Sequence, residues 1–113
     1  MWTGGERSGM DLTIARAGSE LTPEGSVDLV SRQQLVDAGL DVLREHRSLT
    51  LNMSAVDFMD SVGIGALVEL SKKAASLGGS FVVIEPSRPV QRVLAVTGLA
   101  DAWPRIETST DSP

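Results

Sequence analysis

The chain contains no cysteine, and that absence removes disulfides, thiolate nucleophiles and cysteine-built metal centres together. It holds a single histidine, His46. A Ser-His-acid triad needs an imidazole to take the serine proton, so such chemistry would have to run through this one residue. His46 falls instead on the apolar stripe at the end of a predicted helix, where an imidazole caps carbonyls or packs. Without cysteines it also makes a poor zinc site. Basic charge is scarce: 10 Lys and Arg against 15 Asp and Glu leave a net charge of −5. A surface of that sign repels a phosphate backbone and disfavours direct nucleic-acid binding. No run approaches the roughly 20 apolar residues of a membrane helix, and the segment Met1-Trp2-Thr3-Gly4-Gly5-Glu6-Arg7 lacks the apolar stretch of a signal peptide. The expectation is a soluble cytoplasmic protein without membrane insertion. A Gly-x-x-x-x-Gly-Lys phosphate loop is missing too, and Gly63-Ile64-Gly65 is only the front of a Gly-x-Gly-x-x-Gly pattern.

What is present suits one α/β domain. The 113 residues are 42% apolar, enough for one hydrophobic core and too short for two domains. Residues 1–9 and 107–113 lack periodicity and read as loose tails, leaving 10–106 as the folded unit. Within it, Leu12 and Ile14 alternate with polar neighbours as a first strand. Gly18-Ser19 is a plausible hairpin turn into a second strand at about 20–27, where Pro23 is an awkward member because it cannot donate to a ladder. Ser31-Arg32-Gln33-Gln34 fits a capping box. Behind it Leu35, Gly39, Val42, Leu43 and His46 share a helical face. A strand is predicted at 48–53. A second helix starts near Ser61, with Ile64, Leu67, Val68, Ser71 and Ala75 as its inner stripe and Gly78 as an αL cap. Phe81-Val82-Val83-Ile84 reads as a strand covered on both faces. A third helix carries Pro89 in its first turn and Val90, Val93, Leu94 and Thr97 on one face, with Gly98 closing it. A short last strand is predicted at 102–106. The order β-β-α-β-α-β-α-β implies a mixed β-sheet flanked by helices.

Candidate chemistry concentrates at one junction, Val56-Asp57-Phe58-Met59-Asp60-Ser61-Val62-Gly63-Ile64-Gly65, where a polar step meets the mouth of the second helix. Asp57 and Asp60 read as a solvated turn, and the glycines as points of close helix–sheet packing. Two readings of Ser61 stand side by side. Asp60 or Ser61 is an ordinary N-cap, or Ser61 is a modification site whose phosphate the free amides of a helix start would tolerate. In the second reading a charge of about −1.5 to −2 changes the surrounding surface rather than the fold.

The same segment resembles the phosphorylation-site region of bacterial anti-sigma-factor antagonists, stand-alone STAS domains whose signature reads approximately Phe-Met-Asp-Ser-Ser-Gly-Leu-Gly. Leu49–Met53, Gly78–Val83 and Val90–Leu99 resemble further family segments in the right order, and Gly25-Ser26-Val27-Asp28 stands where the family usually has Gly-Glu-Leu-Asp. The resemblance implies a STAS-type fold and an antagonist that binds an anti-sigma factor serine kinase, so releasing a sigma factor. Phosphorylation of Ser61 would switch it off, and a metal-dependent serine phosphatase would reset it. It implies no catalytic residue and no cofactor or metal in the chain itself, and a partner surface formed by Ser26, Asp28, Asp60, Ser61, Val62, Gly63 and Ile64. Two departures stand out: Val62 replaces the usual second serine, and Ser26 replaces the usual glutamate. An alternative drawn from the same fold is an adaptor subunit of a membrane-associated transport complex.

Overall fold

The computed structural model describes residues 12–97 and 106–107. Strand β1 (Leu12–Ala17) turns through Gly18-Ser19 into β2 (Glu20–Val27), and Gly18 takes φ +62°, the left-handed conformation that a tight hairpin asks of a glycine. There follow α1 (Arg32–His46), β3 (Ser48–Asn52), β4 (Val56–Met59), α2 (Ser61–Ser76), β5 (Ser80–Ile84), α3 (Arg88–Thr97) and β6 (Ile106–Glu107). The sheet runs β1-β2-β3-β5-β6, with β4 beside β2. Among the described residues only the β1–β2 pair is antiparallel; the other pairings are parallel. The mixed sheet and the expected element order both hold, with β4 as an added strand.

β2 changes neighbours along its length. Glu20 and Leu21 pair with β3, whereas Gly25, Ser26 and Val27 pair with β4, with a register shift between Gly25 and Ser26. Pro23 lies between these two stretches, in a part of β2 that pairs with neither parallel partner. This gap is where a residue without an amide hydrogen is tolerated in the middle of a sheet.

The core fills the space between the sheet and its helices. Leu21, Leu49, Leu51 and Val83 from the strands are buried, as are Leu35, Val42 and Leu43 of α1 and Leu67 and Leu70 of α2. Each such side chain contributes roughly 1.5–3 kcal/mol relative to exposure. Gly39 lets α1 and α2 approach: a Cβ there would meet Leu70 Cδ2 at 2.6 Å.

Several expectations change in detail. Helix α1 has Ser31 at its N-cap position but no side-chain cap hydrogen bond, so the capping box does not form. The Ser31 hydroxyl donates to the Ser26 carbonyl at 2.6 Å, and the Gln34 amide donates to the Leu12 carbonyl at 2.8 Å; both side chains are drawn to tertiary partners. His46 is exposed rather than part of the apolar stripe. The buried face of α2 comprises Gly63, Ile64, Ala66, Leu67, Leu70 and Ala74, broader than and rotated from the predicted stripe. Val68 and Ser71 are half-buried and Ala75 exposed, because α2 packs on α1 as well as on the sheet. Thr97 is exposed, while Val90 and Leu94 carry the burial of α3. The last described strand is Ile106–Glu107; positions 102–105 of the predicted strand lie outside the described residues. Gly98 and the remaining tail positions lie outside the described residues.

Candidate functional site

The parallel pairing of β2 with β4 brings their C-terminal ends together, with Val27 opposite Met59. The loop after β2 and the start of α2 therefore leave the sheet side by side. Gly63 makes this closeness possible, because a Cβ there would meet Met59 Cγ and Val27 Cγ1 at 2.9 Å and the Val27 carbonyl at 3.0 Å. Gly65 differs from the packing role expected of it: nothing lies within 4 Å of where its Cβ would stand.

Asp60 rather than Ser61 is the N-cap of α2. Its backbone is extended, and its Oδ1 accepts from the amides of Val62 at 3.0 Å and Gly63 at 3.3 Å. Ser61 is thus the first helical residue. It is exposed, and its hydroxyl has no hydrogen-bond partner among the described residues. The cap is supplied by a neighbour, so the serine oxygen is not committed to holding the helix. Of the two residues that could cap this helix, Asp60 does so.

The loop between β2 and α1 is organised by Asp28. Its buried carboxylate accepts through Oδ1 from the Val30 amide at 3.0 Å, the Ser31 amide at 3.1 Å and the Ser31 hydroxyl at 3.2 Å. The Asp28 amide in turn donates to Ser31 Oγ at 3.1 Å. Asp28 Oδ2 is buried without a partner among the described residues. Ser26 is also buried, and its hydroxyl makes a long contact of 3.4 Å to Asp57 Oδ1.

This arrangement sorts the predicted site residues into two groups. Ser61 is exposed, and Asp60 and Val62 are half-buried. Ser26, Asp28, Gly63 and Ile64 are buried within the chain, so they shape the surface from beneath instead of presenting side chains to it. The sequence reading missed the apolar side chains that the same segments push outward. Leu29 is 73% exposed and Val30 80%, in the turn that Asp28 holds; Phe58 of β4 is 42% exposed and Val96 of α3 85%. These are the exposed large apolar residues among those described. Hydrophobicity alone marks such residues as core. For Leu29 and Val30 the only signal was their position immediately after an aspartate at a strand end; Phe58 and Val96 carried none.

Helix α3 borders the site from the other side. It packs against β4 and is anchored by Ser87, whose amide donates to the Met53 carbonyl at 3.1 Å and whose hydroxyl donates to the Val56 carbonyl at 2.6 Å. An open groove of about 280 Å³ results, lined by Ser61 with Arg92, Val93, Val96 and Thr97.

His46 ends α1 just before β3 begins, at the opposite end of the sheet from Ser61, so these two residues do not pair. Among the described residues no group of three or more His, Cys, Asp or Glu is placed to hold a metal ion. Nor is any described helix long and apolar enough to cross a membrane.

Comparison with known proteins agrees with this architecture. The family model described as the STAS domain matches residues 11–112. An anti-sigma factor antagonist of Thermotoga neapolitana is 35% identical over 54 residues, 48% of this chain and 48% of that protein; the match thus spans about half the length of that relative. Among solved structures, an anti-sigma factor antagonist from Mycobacterium paratuberculosis superposes with a TM-score of 0.69 at 24% identity, covering 85% of this chain and 84% of the other. The anti-sigma factor antagonist SpoIIAA in its unphosphorylated form gives 0.68 at 18% identity, covering 89% and 90%. With the family model running through nearly the whole described fold, the chain belongs to the STAS domain family.

Proposed function

We propose that this protein is an anti-sigma-factor antagonist whose binding surface is switched by phosphorylation of Ser61. The observation that carries the reading is the division of tasks at the start of α2. Asp60 caps the helix, which leaves the Ser61 hydroxyl exposed and uncommitted in a groove it shares with Val96, while the adjoining segments turn Leu29, Val30 and Phe58 outward. A patch of this kind suits a protein partner, and a free hydroxyl in it suits a reversible charge.

In this reading the partner is an anti-sigma factor that is also a serine kinase, and its capture frees a sigma factor. The kinase transfers the γ-phosphoryl group of ATP to Ser61 Oγ: the Oγ–P bond forms, the bond to ADP breaks, and the hydroxyl proton leaves. A serine phosphatase hydrolyses the ester and restores binding. The chain contributes no catalytic group, acts in the cytoplasm and needs neither cofactor nor nucleic acid. Ser26, Asp28, Gly63 and Ile64 set the shape of the patch from below, while Asp60 and Val62 frame the acceptor. The naming of relatives as anti-sigma factor antagonists supports the reading. So does the existence of the STAS-fold protein SpoIIAA in a phosphorylated form.

Magnitudes explain why modification would switch binding rather than folding. A phosphate about 4 Å from a partner carboxylate at an effective dielectric near 20 is repelled by roughly 4 kcal/mol or more. Its favourable interaction with a helix start is only about 0.3–1 kcal/mol. Incubation with the cognate kinase and labelled ATP is expected to add one phosphate to the wild type and none to Ser61→Ala. Undiminished labelling of that variant would remove Ser61 from the mechanism.

A further inference from the structure

The groove beside the acceptor serine is bordered by a residue that carries a cation at the end of a long, flexible stem. Arg92 lines it together with Ser61, Val93, Val96 and Thr97. Resting on the reading of Ser61 as phosphoacceptor, we propose that Arg92 receives the phosphoryl group in cis, so that the phosphorylated chain closes its own groove.

Three observations converge on Arg92. It is exposed and holds no carboxylate among the described residues, whereas Arg16, Arg32 and Arg44 are paired with Glu45, Glu69 and Asp41. Its helix is fixed in place, because Ser87 ties the start of α3 to the carbonyls of Met53 and Val56 on either side of the turn into β4. Arg92 stands on this anchored helix, five residues beyond Ser87, and lines the groove with Ser61. Lastly, the competing receptor on that side is already occupied: the Val62 and Gly63 amides donate to Asp60. That carboxylate, one residue from the phosphate, repels it away from the helix axis and toward α3.

The chemistry matches the placement. A phosphoserine carries about −1.5 to −2 charges and three acceptor oxygens, and the planar guanidinium fork bonds two of them at once. With the ion pair made, the arginine stem lies along the apolar wall formed by Val93 and Val96. Phosphorylation then removes apolar surface as well as adding charge. A partner would meet a covered groove, which explains release even where it offers no carboxylate.

The test is phosphorus NMR titration of protein with phosphoserine installed at position 61 by amber suppression, which needs no kinase. Arg92→Gln is expected to raise the second phosphate pKa by about 0.3–1 unit, the modest effect of losing one opposite charge at an exposed site. Arg92→Lys should recover part of the shift. Arg88→Gln, which removes the same charge one helical turn away and does not line the groove, should leave the titration unchanged. Equal midpoints in wild type and Arg92→Gln, or an equal shift in Arg88→Gln, would overturn the assignment. Failure of the kinase to label Ser61 would instead refute the phosphoacceptor reading, and leaves the titration result standing by itself.

Discussion

The two ends of the parallel strands are built on opposite plans. Where β3 and β5 begin, backbone meets backbone: a Cβ on Gly79 would stand 1.5 Å from the Arg47 carbonyl oxygen. The Ser80 amide donates to that same carbonyl at 3.2 Å, and the Gly79 amide to the Ala74 carbonyl at 2.9 Å. Arg47 closes α1 in the left-handed conformation at φ +61°. Where β2 and β4 end, polar side chains are folded inward and apolar ones are turned out. Asp28 and Ser31 are buried to hold a turn that exposes Leu29 and Val30. A tight end gives stability, and an inverted end gives a surface; one small fold keeps them a sheet's length apart.

The sharpest way to break this contrast is at the tight end. Gly79→Ala has no space into which its methyl can relax, because the obstructing atom is backbone. The expected loss is about 3 kcal/mol, at the upper end of overpacking costs, read as a lowered urea midpoint. Asp28→Ala follows at about 2 kcal/mol, since it leaves the buried Ser31 amide, and the Val30 amide beside it, without an acceptor; weakened partner capture should accompany it as the turn loosens. Asp60→Ala removes a helix cap and should cost about 1 kcal/mol, measured the same way, with Ser61 still accepting phosphate. The smallest effect on folding belongs to Leu29→Ser combined with Val30→Ser. Exposed side chains of this kind change stability by no more than about 0.5 kcal/mol, yet this pair should abolish most partner binding in a calorimetric titration. A large drop in stability there would show that the two residues are core after all, and the contrast between the ends would fail.

The sequence revealed the tight end and the framework better than the inverted one. The hairpin at Gly18-Ser19, the αL cap at Gly78 (φ +74°) and the apolar run of β5 are local features with a local cause. Strand β4 was hidden because it is four residues long and its burial runs buried, exposed, exposed, buried, without the alternation that marks a strand. The capping box at Ser31 failed because the turn orients its hydroxyl the other way: Ser31 Oγ accepts from the Asp28 amide instead of a helix amide, and its proton goes to the Ser26 carbonyl. At the site, Ser61 was legible as a polar step at a helix mouth, but the choice between Asp60 and Ser61 as cap depends on backbone angles. The outward turn of Leu29 and Val30 depends on where a buried carboxylate finds its donors. Neither is written in periodicity.

The open space beside Gly65 has a practical consequence. Position 65 lies one helical turn above Ser61, on the same face of α2, and a Cβ there meets nothing within 4 Å. The chain contains no cysteine of its own, so a single Gly65→Cys substitution creates one unique attachment point for a fluorophore. The replacement also removes a glycine from a helix interior, which favours the fold by a few tenths of a kcal/mol or more. A dye at that point would look directly onto the acceptor serine and its groove. The molecule therefore offers a built-in window through which docking, release and phosphate transfer can be followed in real time.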